Sequence, residues 1–338
     1  MSKMIHWLLM LSIVLFGVVA CEDDPEEQDT PETALALYVM NSGATSLSLV
    51  DLETDAVLND VATLGQWPNQ VTYHGGKVYV VNSGTNNIMI FDPDNNFAAE
   101  AIVLGDGNNP MNLVIYDDNT AYVACSMSGK VLKVNLTTKT VDMEITAGTG
   151  TTGIALADGK IYATNTGFNS DYTYSPGTVT VINGATGAVV TTIDVGLNPQ
   201  AAAMDPDGLV HVVCTGDWGA TAAGAISVIN PATDAVVQTI DIGGTPGSIA
   251  ISESDGMAYL GVWGSGLLSY NWETYAVVNG IDDYIWGSGG SGLTVDTEGN
   301  IFISIWSTDE VVKIAPDETL LATYAVSDSP SSLALRIE

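Results

Sequence analysis

Seven short segments recur in register along the chain, and this repeat constrains the fold more than any other feature. They are Tyr38-Val39-Met40-Asn41, Tyr79-Val80-Val81-Asn82, Tyr122-Val123-Ala124-Cys125, Tyr162-Ala163-Thr164-Asn165, His211-Val212-Val213-Cys214, Tyr259-Leu260-Gly261-Val262 and Phe302-Ile303-Ser304-Ile305. The intervals between them are 41, 43, 40, 49, 48 and 43 residues. A period of about 40 to 50 residues with several short apolar runs per unit is that of propeller blades.

The punctuation repeats as well. A following strand ends in Asp or Asn in six units, as at Val50-Asp51, Phe91-Asp92, Val134-Asn135 and Ile182-Asn183, and a turn such as Asn230-Pro231-Ala232-Thr233-Asp234 starts the next one. Asx side chains bond local backbone and proline fixes φ, so both make tight turns. A Gly-rich bend comes next, and a proline precedes the last strand of the unit in five cases: Pro68, Pro110, Pro199, Pro246 and Pro330. Four strands in each of seven units predict an all-β, seven-bladed β-propeller with four antiparallel strands per blade, covering residues 35–338. The first unit lacks a strand matching Val71-Thr72-Tyr73, while Ser332 to Ile337 is left over at the other end. This C-terminal strand is expected to complete the first blade and close the ring, because an open edge there would be a liability.

Residues 1–20 read as an export signal rather than as part of the fold. Lys3 is followed by a 13-residue, almost unbroken apolar stretch from Trp7 to Val19, then Ala20-Cys21. That is short of the roughly 20 residues a membrane span needs, and small residues before a cysteine are the pattern of a lipoprotein signal. Cys21 is therefore the expected lipidation site, with the acyl chains as membrane anchor. Residues 21–34 form an expected tether, since seven of the eleven residues from Glu22 to Glu32 are acidic and like charges extend such a segment.

The Tyr-Val-x-Asn-Ser-Gly runs at Tyr38 to Gly43 and Tyr79 to Gly84, with strands such as Thr178 to Asn183 and tails such as Val236 to Ile240, resemble the YVTN-type β-propeller repeat. That resemblance covers nearly the whole predicted ring and implies fold more than function, since propellers host unrelated activities. The acidic stretch after Cys21 resembles that of surface-exposed lipoproteins of Bacteroidota, which implies display on the outer membrane. In architecture, rather than in matched residues, the chain is similar to the surface lipoprotein propellers of that group that capture cobalamin. This likeness implies a corrinoid ligand and a TonB-dependent transporter as partner.

Composition narrows function by exclusion. The chain holds 8 Lys and Arg against 40 Asp and Glu, a net charge of −32. Eight cations cannot build the basic face that nucleic acid requires. Beyond the leader the histidines are His74 and His211, and neither has the spacing of a metal site or a triad. His211 takes the tyrosine place in its repeat and reads as a packed core residue; His74 sits in a turn and reads as solvated. Cys125 and Cys214 end equivalent strands a blade apart and read as buried free thiols. Asp92-Pro93-Asp94-Asn95-Asn96 lacks the glycine and the later glutamate of a calcium loop. No catalytic residue, metal or cofactor is expected, and the chain reads as a non-enzyme.

The aromatic residues point to a face. Alternation of strand direction puts the links between blades and the loops joining the second and third strands of each blade on one side of the disc. There lie Trp67, Phe168, Tyr172, Tyr174, Trp218, Trp263, Trp286 and Trp306, several in Gly-rich loops that leave an indole exposed. The longest insertions, Asn165 to Gly177 and Thr215 to Gly224, are on the same side. Innermost on it, Asn69, Gln70, Asn112, Thr152, Gln200, Ser248, Ser291 and Ser332 are expected to ring the channel mouth. Flat apolar faces with neutral hydrogen-bonding groups suit a glycan or a corrin ring and suit a phosphate poorly. The expected ligand-binding set is Trp67, Gln70, Asn112, Tyr172, Tyr174, Gln200, Trp218, Trp263, Trp286 and Trp306. The competing expectation is a cell-surface scaffold whose same face docks a protein.

Overall fold

The computed structural model describes residues 34–218 and 222–337. The expected export signal, the expected lipidation site Cys21 and the acidic run that follows it lie outside the described residues. The described chain forms seven four-stranded antiparallel sheets. A single 3₁₀ turn, Pro93–Asn95, is the one helical segment among the described residues. The fold is the predicted propeller.

The strands are apolar at almost every position because each faces two cores. Alternate side chains of a strand point to opposite sides of its sheet, and in a propeller both sides meet a neighbouring blade. In the second blade Tyr79 and Val81 pack with Leu113, Val123 and Leu132 of the third, whereas Val78 and Val80 pack with Tyr38, Met40 and Leu47 of the first. Seven such clusters, one per junction, make up the core. The blade ends follow the Asx logic: Asp51 Oδ1 accepts from the Glu53 and Thr54 amides at 3.0 and 2.9 Å, and Asn135 Oδ1 from Thr137 and Thr138 at 3.0 and 2.8 Å.

The innermost strands are Pro68–His74, Pro110–Asp117, Thr151–Ala157, Pro199–Met204, Pro246–Ser252, Leu293–Val295 and Pro330–Ile337. The last of these belongs to the first blade, where it pairs antiparallel with Ala34–Asn41, Leu335 opposite Leu37 and Leu333 opposite Val39. The sequence repeat is thus one strand out of phase with the blade. Leu37, Val39 and Leu333 then pack against Phe302, Val311 and Tyr324 of the seventh blade, which seals the ring.

Asparagine ends the second strand in three blades and is replaced by Cys125 and Cys214 in two others. Asn82 Oδ1 accepts from the Gly65 amide at 3.1 Å, and Asn165 Nδ2 donates to the hydroxyls of Thr178 and Thr180 at 3.1 and 3.0 Å. The two cysteines are buried and unbridged. Burial disfavours the thiolate, pushing the Cys125 thiol up to about 12 and the Cys214 thiol to about 11.

Two outcomes are expected. Removal of residues 331–338 strips buried side chains from two cores at about 1.5–3 kcal/mol each, so the melting temperature should drop on the order of 10 °C or more; an unchanged melt would show that the first blade does not need the strand. Iodoacetamide at pH 8 should leave Cys125 and Cys214 unmodified in the folded protein and alkylate both in guanidinium, as read by peptide mass spectrometry.

Candidate functional site

The residues at the aromatic face owe their aim to a recurring bulge. Register slips near the start of six of the innermost strands: between Pro68 and Gln70, Pro110 and Asn112, Thr151 and Ile154, Pro199 and Ala201, Pro246 and Ser248, and at the Asn41 end of the C-terminal strand. A bulge bends its strand and re-aims a side chain, and proline at a strand's first position is compatible with one. The extra residues, among them Asn69, Met111, Thr152 and Gln200, line a central cavity of about 1040 Å³.

Their polar groups join the blades to one another. Asn69 Nδ2 donates to the Pro110 carbonyl at 3.1 Å, Asn112 Nδ2 to Thr152 at 3.1 Å and the Thr152 hydroxyl to Pro199 at 3.4 Å. Thr215 donates to the Pro246 carbonyl at 2.7 Å and Ser248 to Gly290 at 3.1 Å, while the Val71 amide donates to the Ser332 hydroxyl at 3.2 Å. Six of the seven junctions are thereby stapled at the mouth; at the remaining one Gly292 lies against Ser331 and Ser332, where a Cβ would come within 3.0 Å of the backbone. The mouth residues also have structural work: Gln70 Oε1 accepts from the Leu113 amide at 2.6 Å and Gln200 Nε2 donates to Asn198 at 2.7 Å. This leaves Gln70 Nε2, Asn112 Oδ1 and Gln200 Oε1 for other partners.

Among the described residues that line the cavity there is no Asp, Glu, Lys, Arg or His. In a chain of net charge −32 that is a marked local exception. The cations are engaged elsewhere: Lys77, Lys130, Lys139, Lys160, Lys313 and Arg336 pair with Asp92, Glu144, Glu100, Asp234, Asp296 and Asp94. The Asp92 loop considered for calcium is held in this way, and the Lys77 ammonium keeps the Asp92 carboxyl below its ordinary value. Among the described residues no group of His, Cys, Asp and Glu could hold a metal.

Of the expected ligand set, Gln70, Asn112, Gln200, Trp218, Trp263 and Trp306 line the cavity. The three indoles stand exposed at its mouth, Trp263 at 66%. Trp67, Tyr172, Tyr174 and Trp286 lie outside the wall. Trp286 is half-buried and packs on the core between blades six and seven with Ile285 and Ile305, so its Gly-rich loop does not leave it free. Tyr174 and Tyr172 build a second aromatic group with Phe168, at ring separations of 5.4 and 6.0 Å, and Trp218 Nε1 donates to the Tyr174 hydroxyl at 2.8 Å. Trp218 therefore belongs to both the cavity and the cluster behind it.

His211 is fully buried, as its place in the repeat implies, but it is not merely packed. Its Nε2 lies 2.8 Å from Asp205 Oδ2 and its Nδ1 lies 2.6 Å from the Tyr270 hydroxyl of the next blade, both at hydrogen-bond distance. Burial raises the Tyr270 hydroxyl well above its ordinary value, so it keeps its proton. His74 reaches Asp118 at 3.2 Å instead of standing free.

No family model and no curated protein matches the chain. Solved structures do. A functionally unknown protein from Desulfotomaculum acetoxidans is similar at a TM-score of 0.68 and 16% identity, covering 89% of this chain and 98% of that one. Hydrazine synthase of Kuenenia stuttgartiensis gives 0.66 and 15%, covering 79% and 89%. A quinonprotein alcohol dehydrogenase-like protein from Bacteroides thetaiotaomicron gives 0.64 and 16%, covering 90% and 79%. At such identities the likeness shows the propeller fold and leaves the chemistry to the site.

Trp67 stands out by its backbone. Its φ is 51°, and the residues in the same place before other innermost strands are Asn109, Gly150, Asn198 and Ser329, at 52°, 69°, 56° and 59°. A bulky side chain in the left-handed region costs about 1–2 kcal/mol, which Asn largely avoids. The indole is 71% exposed and recovers little of that by packing. Trp67→Asn should raise the melting temperature by about 2 °C; a lowered one would show that the indole contributes to the fold.

Proposed function

We propose that the protein is a non-enzymatic capture module, anchored to the outer membrane through a lipid on Cys21 and displayed at the cell surface, whose aromatic face binds an uncharged small ligand of glycan or corrinoid type. The observation that carries this reading is the wall of the central cavity: three exposed tryptophans at the mouth, a ring of Asn, Gln, Ser and Thr inside it, and no charged side chain among the described residues that line it. Indole faces stack on flat apolar surfaces, and neutral amides and hydroxyls orient a neutral ligand without the desolvation cost of an ion. The resemblance to surface lipoprotein propellers adds a TonB-dependent transporter as the partner that would take the ligand onward.

The second aromatic group favours a further reading. Phe168 and Tyr172 are exposed on the long loop of blade four, away from the cavity. On the scaffold reading this cluster docks a protein, and the cavity is a by-product of ring closure. The two readings separate cleanly. Thermal shift against a panel of neutral glycans and corrinoids should show stabilisation, and Trp218→Ala with Trp263→Ala should weaken the bound compound at least tenfold while Tyr172→Ala leaves it unchanged. A panel without a single hit, together with loss of partner capture in the Tyr172 variant, would support the scaffold instead.

A further inference from the structure

The wall of the central cavity changes character along its length. Register fixes the order of residues down each innermost strand, with Pro330 opposite Asn41 at the aromatic face and Ile337 opposite Ala34 at the other. Near the aromatic face the wall is Gln70, Thr152, Gln200, Ser248, Ser291 and Ser332. Deeper along the strands the wall is mostly apolar, with Ile249, Leu293, Val295, Leu335 and Ile337 beside Thr72, Tyr73 and Thr294. None of the first five is fully buried: each keeps part of its apolar surface open. By contrast, Leu113 on the innermost strand of the third blade is buried and lies outside the wall. An apolar chain placed in the throat would take that open apolar surface out of water.

We propose that the ligand is a neutral amphiphile, bound with its polar head among the amides, hydroxyls and indoles of the mouth and its apolar portion in the throat. This rests on the capture reading and narrows it to glycosides or similar compounds that carry a hydrocarbon tail. The far end of the throat reinforces the requirement for a tail without negative charge. Val295 and Ile337 also border a smaller cavity of about 370 Å³ on the opposite face, where Glu253 and Asp296 lie.

The test is a homologous series of methyl, butyl, hexyl and octyl β-glucosides, titrated calorimetrically below their micelle concentrations into the mature protein. A methylene that leaves water completely tightens binding about fourfold, so affinity should climb by about two- to fourfold for each added CH₂ until the throat is full. A flat series in which methyl glucoside binds as well as octyl glucoside overturns the amphiphile proposal and leaves glycan capture standing. No binding by any member overturns the amphiphile proposal, while the capture reading falls only if the panel of neutral glycans and corrinoids also gives no hit. Leu293→Asn and Val295→Asn variants, with melting curves to confirm folding, should hold the affinity for methyl glucoside and lower that for octyl glucoside at least tenfold. An octyl affinity unmoved by both variants would put the chain outside the throat and overturn the proposal.

Discussion

Everything at the aromatic face depends on the closure of the ring by the C-terminal strand. A propeller blade has apolar side chains on both sides, so each is covered only when it has two neighbours. Pairing Pro330–Ile337 with Ala34–Asn41 supplies the first blade with its innermost strand and lets the first and seventh blades cover one another. The same event completes the circular wall, for Ser331, Ser332 and Leu335 are wall residues contributed by that strand. Closure and cavity are one structural fact seen from two sides.

A second constraint acts at the centre of the disc. Seven innermost strands converge there, and their backbone groups at the mouth have no eighth strand to pair with. Side chains meet the need: amides and hydroxyls from one strand bond the carbonyls of the next, often that of the proline that opens it. Buried or half-buried polar groups have to be satisfied in this manner, and the result is a ring of neutral hydrogen-bonding groups with spare capacity. Charged side chains would pay a desolvation cost there and are placed on the blade edges and turns, where carboxylates meet the few cations. The charge-free cavity and the strongly acidic exterior thus follow from the same physics.

Much of this was legible in the residues. Apolar repeats at a fixed period identified the blades, Asx and proline marked the turns, and the spare strand after Pro330 announced the closure. The aromatic face followed from counting strand directions. What escaped was fine geometry. Trp286 looks exposed in its glycine-rich loop, yet the link between blades six and seven folds it onto Ile305. His211 reads as filler, yet Asp205 and Tyr270 reach it from six and fifty-nine residues away. The bulges could have been suspected from the polar or small residues that follow Pro68, Pro199, Pro246 and Pro330, but no local rule says which way such a residue turns.

By itself, then, the sequence determined the number of blades, their four-stranded make-up and the side on which the aromatic residues gather, because these depend on period, alternation and turn chemistry, all of which are local. Only the tertiary structure decided which of those aromatics border the central cavity, that the described residues of its wall carry no charge, and that this wall becomes mostly apolar with depth. Those properties belong to no single repeat: they arise where seven strands distant in sequence are brought to one axis.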